Sequence, residues 1–135
     1  MALLSQLGNY KNTGLLILRV GLGAMMIYHG LPKLTGGPGR WEAVGGAMSH
    51  LGITFYPVVW GLLAAITETF GGFLLILGLS FRPASFLLAF TMLVASLNHL
   101  AKGDGLMEAS HAIELGFVFV GLIFVGPGKY SVDKK

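Results

Sequence analysis

Four stretches of this chain are apolar and long enough to cross a bilayer, and they limit its fold more than any motif does. They run over about Thr13–Leu31, Val58–Leu79, Pro83–Leu100 and Ser110–Val125. A spanning helix needs about 20 residues, with a range of about 17 to 25. The third and fourth stretches are short and draw on their flanks. Water would be a poor solvent for such a chain: 54% of its residues are hydrophobic and 11% are charged. An ordinary soluble domain carries roughly a quarter charged residues, and small folds leave much of their surface wet. Lipid removes the difficulty. The expected fold is an all-α integral membrane protein, a single four-helix transmembrane bundle over residues 1–135.

Within such a bundle the 21 glycines become packing residues rather than loop residues, because small side chains let helix backbones approach. Gly21 and Gly23, Gly71 and Gly72, and Gly116 and Gly121 read as helix contacts. Gly36-Gly37-Pro38-Gly39 has neither the Lys-Ser/Thr ending nor the preceding strand of a phosphate-binding loop.

Other classes fall away. The sequence has no cysteine, which removes disulfides, thiolate nucleophiles, iron–sulfur clusters and Cys-ligated zinc or haem. The net charge of +3 is scattered, without the clustered basic stripe of a nucleic-acid partner. The first apolar stretch follows Lys11 as a signal peptide would. Arg19 inside it and the lack of an A-x-A-like site mark it as a retained helix. Neither end carries a lipidation motif.

The connections set the topology. Ser80, Phe81 and Arg82 alone separate the second and third helices, forcing an antiparallel hairpin. Pro32 is expected to end the first helix and Pro83 to start the third. Ala101–Glu108 forms a polar turn. In the longer piece Pro32–Pro57, Trp41, Val44, Met48 and Leu51 recur at helical spacing. Arg40–Leu51 therefore reads as a short amphipathic helix in the interface; an irregular loop is the equal alternative, since Gly45 and Gly46 weaken a helix. Lys11, Arg82, Lys129, Lys134 and Lys135 fall on the side of the termini, against Lys33, Arg40 and Lys102 on the other. The positive-inside rule then makes both termini cytoplasmic.

Ionisable residues within the spans mark candidate sites, because a charge at mid-bilayer costs roughly 2.5–3.5 kcal/mol on insertion scales. Arg19 and Glu68 are two such residues. With a rise of 1.5 Å per residue they lie roughly 9 Å and roughly 16 Å from the cytoplasmic end of their helices, within reach of one another. They are expected to touch, either as a salt bridge that joins two helices or as the polar floor of a ligand cavity. A second group lies near the opposite end: His29, His99, His111 and Glu114, the last two on one face three residues apart. Hydrogen-bonded interface histidines are the leading reading of this group. A metal or b-type haem site and a proton relay or quinone contact stand behind it. Hydrogen bonds, water or a ligand's polar head are expected there rather than metal coordination, and haem ranks low. His29, His111 and Glu114 are expected to share a pocket beside the segment containing Trp41.

The ordered motifs also resemble a known family. Arg19-Val20-Gly21 followed by Tyr28-His29-Gly30-Leu31-Pro32-Lys33-Leu34 resembles the first helix of the DoxX family. Glu68-Thr69-Phe70-Gly71-Gly72, Leu77-Gly78-Leu79 and Arg82 resemble its second helix and short turn. His111-Ala112-Ile113-Glu114-Leu115 and Gly126-Pro127-Gly128-Lys129-Tyr130-Ser131-Val132-Asp133 resemble its last helix and closing signature. The likeness covers about residues 12–133. It implies a small four-helix protein of the bacterial inner membrane. Some members of that family are associated with thiosulfate:quinone oxidoreduction and others with redox-defence complexes.

Taken together, these features suggest a redox-associated membrane subunit holding a quinone or similar amphiphile, with Arg19 and Glu68 below and His29, His99, His111 and Glu114 near the mouth. With no cysteine and no nucleotide motif, electrons would come from a ligand or a partner protein, so the chain alone is not expected to be a complete enzyme. A small-solute or lipid carrier, proton-coupled through Glu68, is the alternative, and a structural adaptor is a third. The bilayer, a redox partner protein and a second copy of the chain are the partners in view.

Overall fold

The computed structural model describes residues 2–135, and every regular element among them is helical. α1 (Ala2–Ser5) and a 3₁₀ segment (Gln6–Tyr10) lead into α2 (Lys11–Thr35). α3 (Pro38–Gly45) and a second 3₁₀ segment (Gly46–Leu51) precede α4 (Pro57–Leu77), α5 (Phe81–Ala101) and α6 (Leu106–Val125). The long helices α2, α4, α5 and α6 are each long and apolar enough to cross a membrane. Four crossings put the N-terminal segment and the C-terminal tail on one face, here the terminal face. The α2–α4 connection and the Lys102–Gly105 turn lie on the other, the loop face.

Consecutive long helices pack side by side. α2 lies against α4, α4 against α5 and α5 against α6, while no Cα of α2 comes within 8 Å of one in α6. The ring of four helices thus has one wide seam. Its core is made by Met26, Leu75, Phe81, Leu88, Met92, Phe119 and Leu122. The α2–α4 contact is the closest, and glycine permits it. A Cβ on Gly23 would stand 2.5 Å from the Gly72 carbonyl oxygen, and one on Gly72 would stand 2.6 Å from that of Gly23. These two backbones meet without side chains between them.

The region between α2 and α4 is helical, as α3 and its 3₁₀ extension, and it is docked on the bundle. α3 packs along the start of α4, and Ala47 and Met48 behind it are buried. Gly45 makes this contact: a Cβ there would collide with the Pro57 carbonyl, and one on Gly61 would collide with that of Trp41. The residue that weakens the helix by propensity is the one that lets it pack. Trp41 Nε1 also donates to the Lys33 carbonyl at 3.0 Å, tying α3 to the last turn of α2.

Three helix ends depart from the sequence reading. Pro32 does not end α2, which continues to Thr35; so near the end, a proline forfeits one backbone bond without breaking the helix, and Thr35 Oγ1 donates to the Leu31 carbonyl at 3.0 Å. α5 begins at Phe81, so Pro83 sits in its first turn, where amides have no helical acceptor anyway. α6 begins at Leu106, after Gly105 at φ 92°. Glu108 is thereby on the helix rather than in the turn.

The tail beyond α6 folds back under the terminal face. Val132 N–H donates to the Leu77 carbonyl at 3.1 Å and Asp133 N–H to that of Gly78 at 2.9 Å. Asp133 in turn accepts from the amides of Ser80 and Phe81 at 3.0 and 2.7 Å, placing a carboxylate at the N-terminus of α5, where orphan amides and the helix dipole favour it.

Candidate functional site

The intramembrane charges do not pair as their depths suggest. Glu68, with its side chain 3% exposed, is bound by Lys33, whose Nζ lies 2.9 Å from both carboxylate oxygens. Arg19 is at the other end of the bundle. The expected Arg19–Glu68 contact is absent because the ends of α2 and α4 are not level. Gly30 sits against Glu68 and Thr69, whereas Gly23 sits against Gly72 and Ile76. Arg19 therefore comes level with the last turn of α4 and Glu68 with the last two turns of α2.

Arg19 is 1% exposed and serves the tail. It donates to the carbonyls of Pro127 at 3.0 Å, Ile76 at 3.1 Å and Tyr130 at 2.8 Å. A guanidinium presents several donors in a fixed fork, so one side chain holds the end of α4 and two points of the tail together. Asn12 adds a bond from the Lys129 amide at 2.9 Å. Arg82 Nε donates to the Ile123 carbonyl at 2.8 Å.

The outer polar group does assemble, with altered membership. A cavity of ≈ 200 Å³ in the loop-face half of the bundle is lined by side chains from all four long helices. His29 and Lys33 come from α2, Glu68 from α4, His99 from α5, and Glu108 and His111 from α6; Met26, Met92, Ala95, Ala112 and Leu115 form apolar wall. The rings of His29 and His111 stand 5.6 Å apart, centre to centre, inclined at 54°. Both residues are also exposed, so they stand where the cavity meets the surface at the α2–α6 seam. His99 Nδ1 lies 2.9 Å from Asp104 Oδ2, which ties the cavity to the Lys102–Gly105 turn.

Glu114 is not among the lining residues. Glu108, His111, Ala112 and Leu115 share one helix face at spacings of three and four; Glu114, two residues past Ala112, falls about 200° round the helix from it and is exposed. Lys33 and Glu108 are the polar lining residues that sequence reasoning missed. The signal was present: Lys33 follows His29 by four residues and Glu108 precedes His111 by three, both same-face spacings.

This arrangement offers donors and acceptors around a small space. The imidazoles can donate or accept according to tautomer, the Lys33 ammonium donates, and the methionines provide polarizable apolar contact. Among the described residues no three His, Asp or Glu side chains are placed to hold a metal ion together.

Comparison with known proteins agrees with the architecture. The DoxX family model matches residues 14–100, which contain α4 and nearly all of α2 and α5. An uncharacterized protein of Haemophilus influenzae is 31% identical over 138 residues, covering 98% of this chain and 97% of that protein. No solved structure matches. With most of its length matched by the family model and four helices able to span a membrane, this chain belongs to the DoxX family of membrane proteins.

Proposed function

We propose that this DoxX-family protein is a redox-associated membrane subunit whose loop-face cavity holds the polar head of a quinone or a similar amphiphile. The observation that carries the reading is three imidazoles and the Lys33–Glu68 pair around one cavity with an apolar wall. Quinone oxygens accept hydrogen bonds, and His29, His99, His111 and Lys33 can donate them. The α2–α6 seam leaves a lateral path, so the tail of such a ligand would stay in lipid while its head enters. Arg19 and Glu114 have no part in this head-binding site. Electrons would be exchanged with a partner protein, since the chain supplies no cysteine or nucleotide motif. In keeping with the charge bias, the protein would sit in the bacterial inner membrane with both termini in the cytoplasm.

Titration of the detergent-purified protein with a short-tailed quinone tests this, with quenching of Trp41 and Trp60 as readout. Saturable binding is expected, weakened about fivefold by His29→Ala or His111→Ala if each loses one ordinary hydrogen bond. Absence of saturation, together with no quinone in solvent extracts of protein purified from quinone-replete membranes, overturns the reading. Solute flux in vesicles that depends on Glu68 would favour the carrier alternative.

A further inference from the structure

The α2–α6 seam has a second opening at the terminal face, independent of the cavity above. It is an open groove of ≈ 720 Å³. Lys11 at the start of α2 lines one side, and Lys129, Lys134 and Lys135 of the tail line the other; Leu15 and Val125 lie on the same walls toward the bilayer. No Asp or Glu side chain lines it. Both ion pairs among the described residues, Lys33–Glu68 and His99–Asp104, are elsewhere, and Asp133 is engaged with the α5 amides. Four lysines from segments more than a hundred residues apart therefore line one space that no Asp or Glu side chain lines.

The fold fixes this convergence. Asn12 accepts from the Lys129 amide, Arg19 holds the Tyr130 carbonyl, and Lys134 N–H donates to Ser131 Oγ at 2.9 Å. Three of the lysines are thus mounted on a braced tail, opposite Lys11 on α2.

We propose that this groove binds the phosphate headgroup of an anionic phospholipid, with the acyl chains running along Leu15 and Val125 into the α2–α6 seam. The charge calls for an anion. The apolar residues and the seam, which lead from the lysines toward the bilayer, favour a lipid over a soluble phosphate. Basic pockets between spanning helices suit such headgroups, and each lysine near an anionic surface is worth about fivefold in affinity.

The probe is phosphatidylglycerol, added to protein purified in zwitterionic micelles and counted on the intact protein by native mass spectrometry. At least one retained phosphatidylglycerol per chain is expected, with phosphatidylcholine retained far less. The Lys129→Gln/Lys134→Gln double variant should bind about 25-fold more weakly, while Lys102→Gln on the loop face leaves binding unchanged. For the parent protein, retention should fall as salt is raised. Equal retention of phosphatidylcholine, or parent binding indifferent to salt, overturns the proposal whether or not the double variant folds. So does full displacement of phosphatidylglycerol by millimolar inorganic phosphate, which would assign the groove to a soluble anion.

Discussion

Lys33 reaches back from the last turn of α2 to hold both oxygens of Glu68, and the two partners are unequally protected: the lysine side chain is 27% exposed, the glutamate 3%. That inequality gives the pair a direction. Removing Lys33 leaves a buried carboxylate unpaired, whereas removing Glu68 leaves an ammonium that can extend toward water. Loss of one partner of a buried pair costs about 3–5 kcal/mol, and loss of both costs less. Lys33→Met is therefore expected to lower the thermal midpoint in detergent more than Glu68→Gln does, and the double variant should recover part of the loss. Equal single effects that simply add would contradict the coupling.

Arg19 makes a separate prediction. Its three carbonyl acceptors would all lose their partner in Arg19→Met, and hydrogen bonds to charged groups contribute about 1.5–3 kcal/mol each. Limited proteolysis should cut the tail near Lys129 much faster in this variant. Arg19→Lys is expected to rescue only partly, because an ammonium lacks the guanidinium fork. Identical cleavage in parent and variant would show that the tail is held by other contacts.

Gly23 and Gly21 lie two residues apart on α2 and should behave oppositely. Gly23→Ala drives a methyl into the Gly72 carbonyl, while a Cβ on Gly21 meets nothing within 4 Å. Overpacking costs about 1–3 kcal/mol, so Gly23→Ala should unfold at lower temperature than Gly21→Ala, which should match the parent. The reverse order would place the α2–α4 contact elsewhere.

The paired termini can be checked by reporter fusions. One fused after Lys135 and one inserted at Lys102–Gly105 should report opposite sides of the membrane, with the first in the cytoplasm. A C-terminal reporter active only outside would overturn the charge-based orientation.

The spans were legible because hydrophobic length is a local property, readable without knowing what lies beside it. Depth was less legible. Counting Arg19 and Glu68 from level helix ends paired them wrongly, since the register is set by Gly23 against Gly72, a contact between distant segments. Treating Pro32 as a stop removed Lys33 from the helix and hid the true partner of Glu68. Starting the last helix at Ser110 likewise hid Glu108 and made Glu114 look terminal, when it lies about two turns in and on another face. The gathering of His29, His99 and His111 could be read because it needed only the alternation of helix direction.

The clasp around Arg19 also has a consequence in time. Pro127 and Tyr130 follow Arg19 by 108 and 111 residues, so during synthesis the guanidinium enters the bilayer long before two of its three acceptors exist. The Ile76 carbonyl of α4, 57 residues on, comes first; until α6 and the tail arrive, the cation in α2 has only that one of its three acceptors. The place of α2 in the membrane is therefore secured in full only by residues translated more than a hundred positions after Arg19.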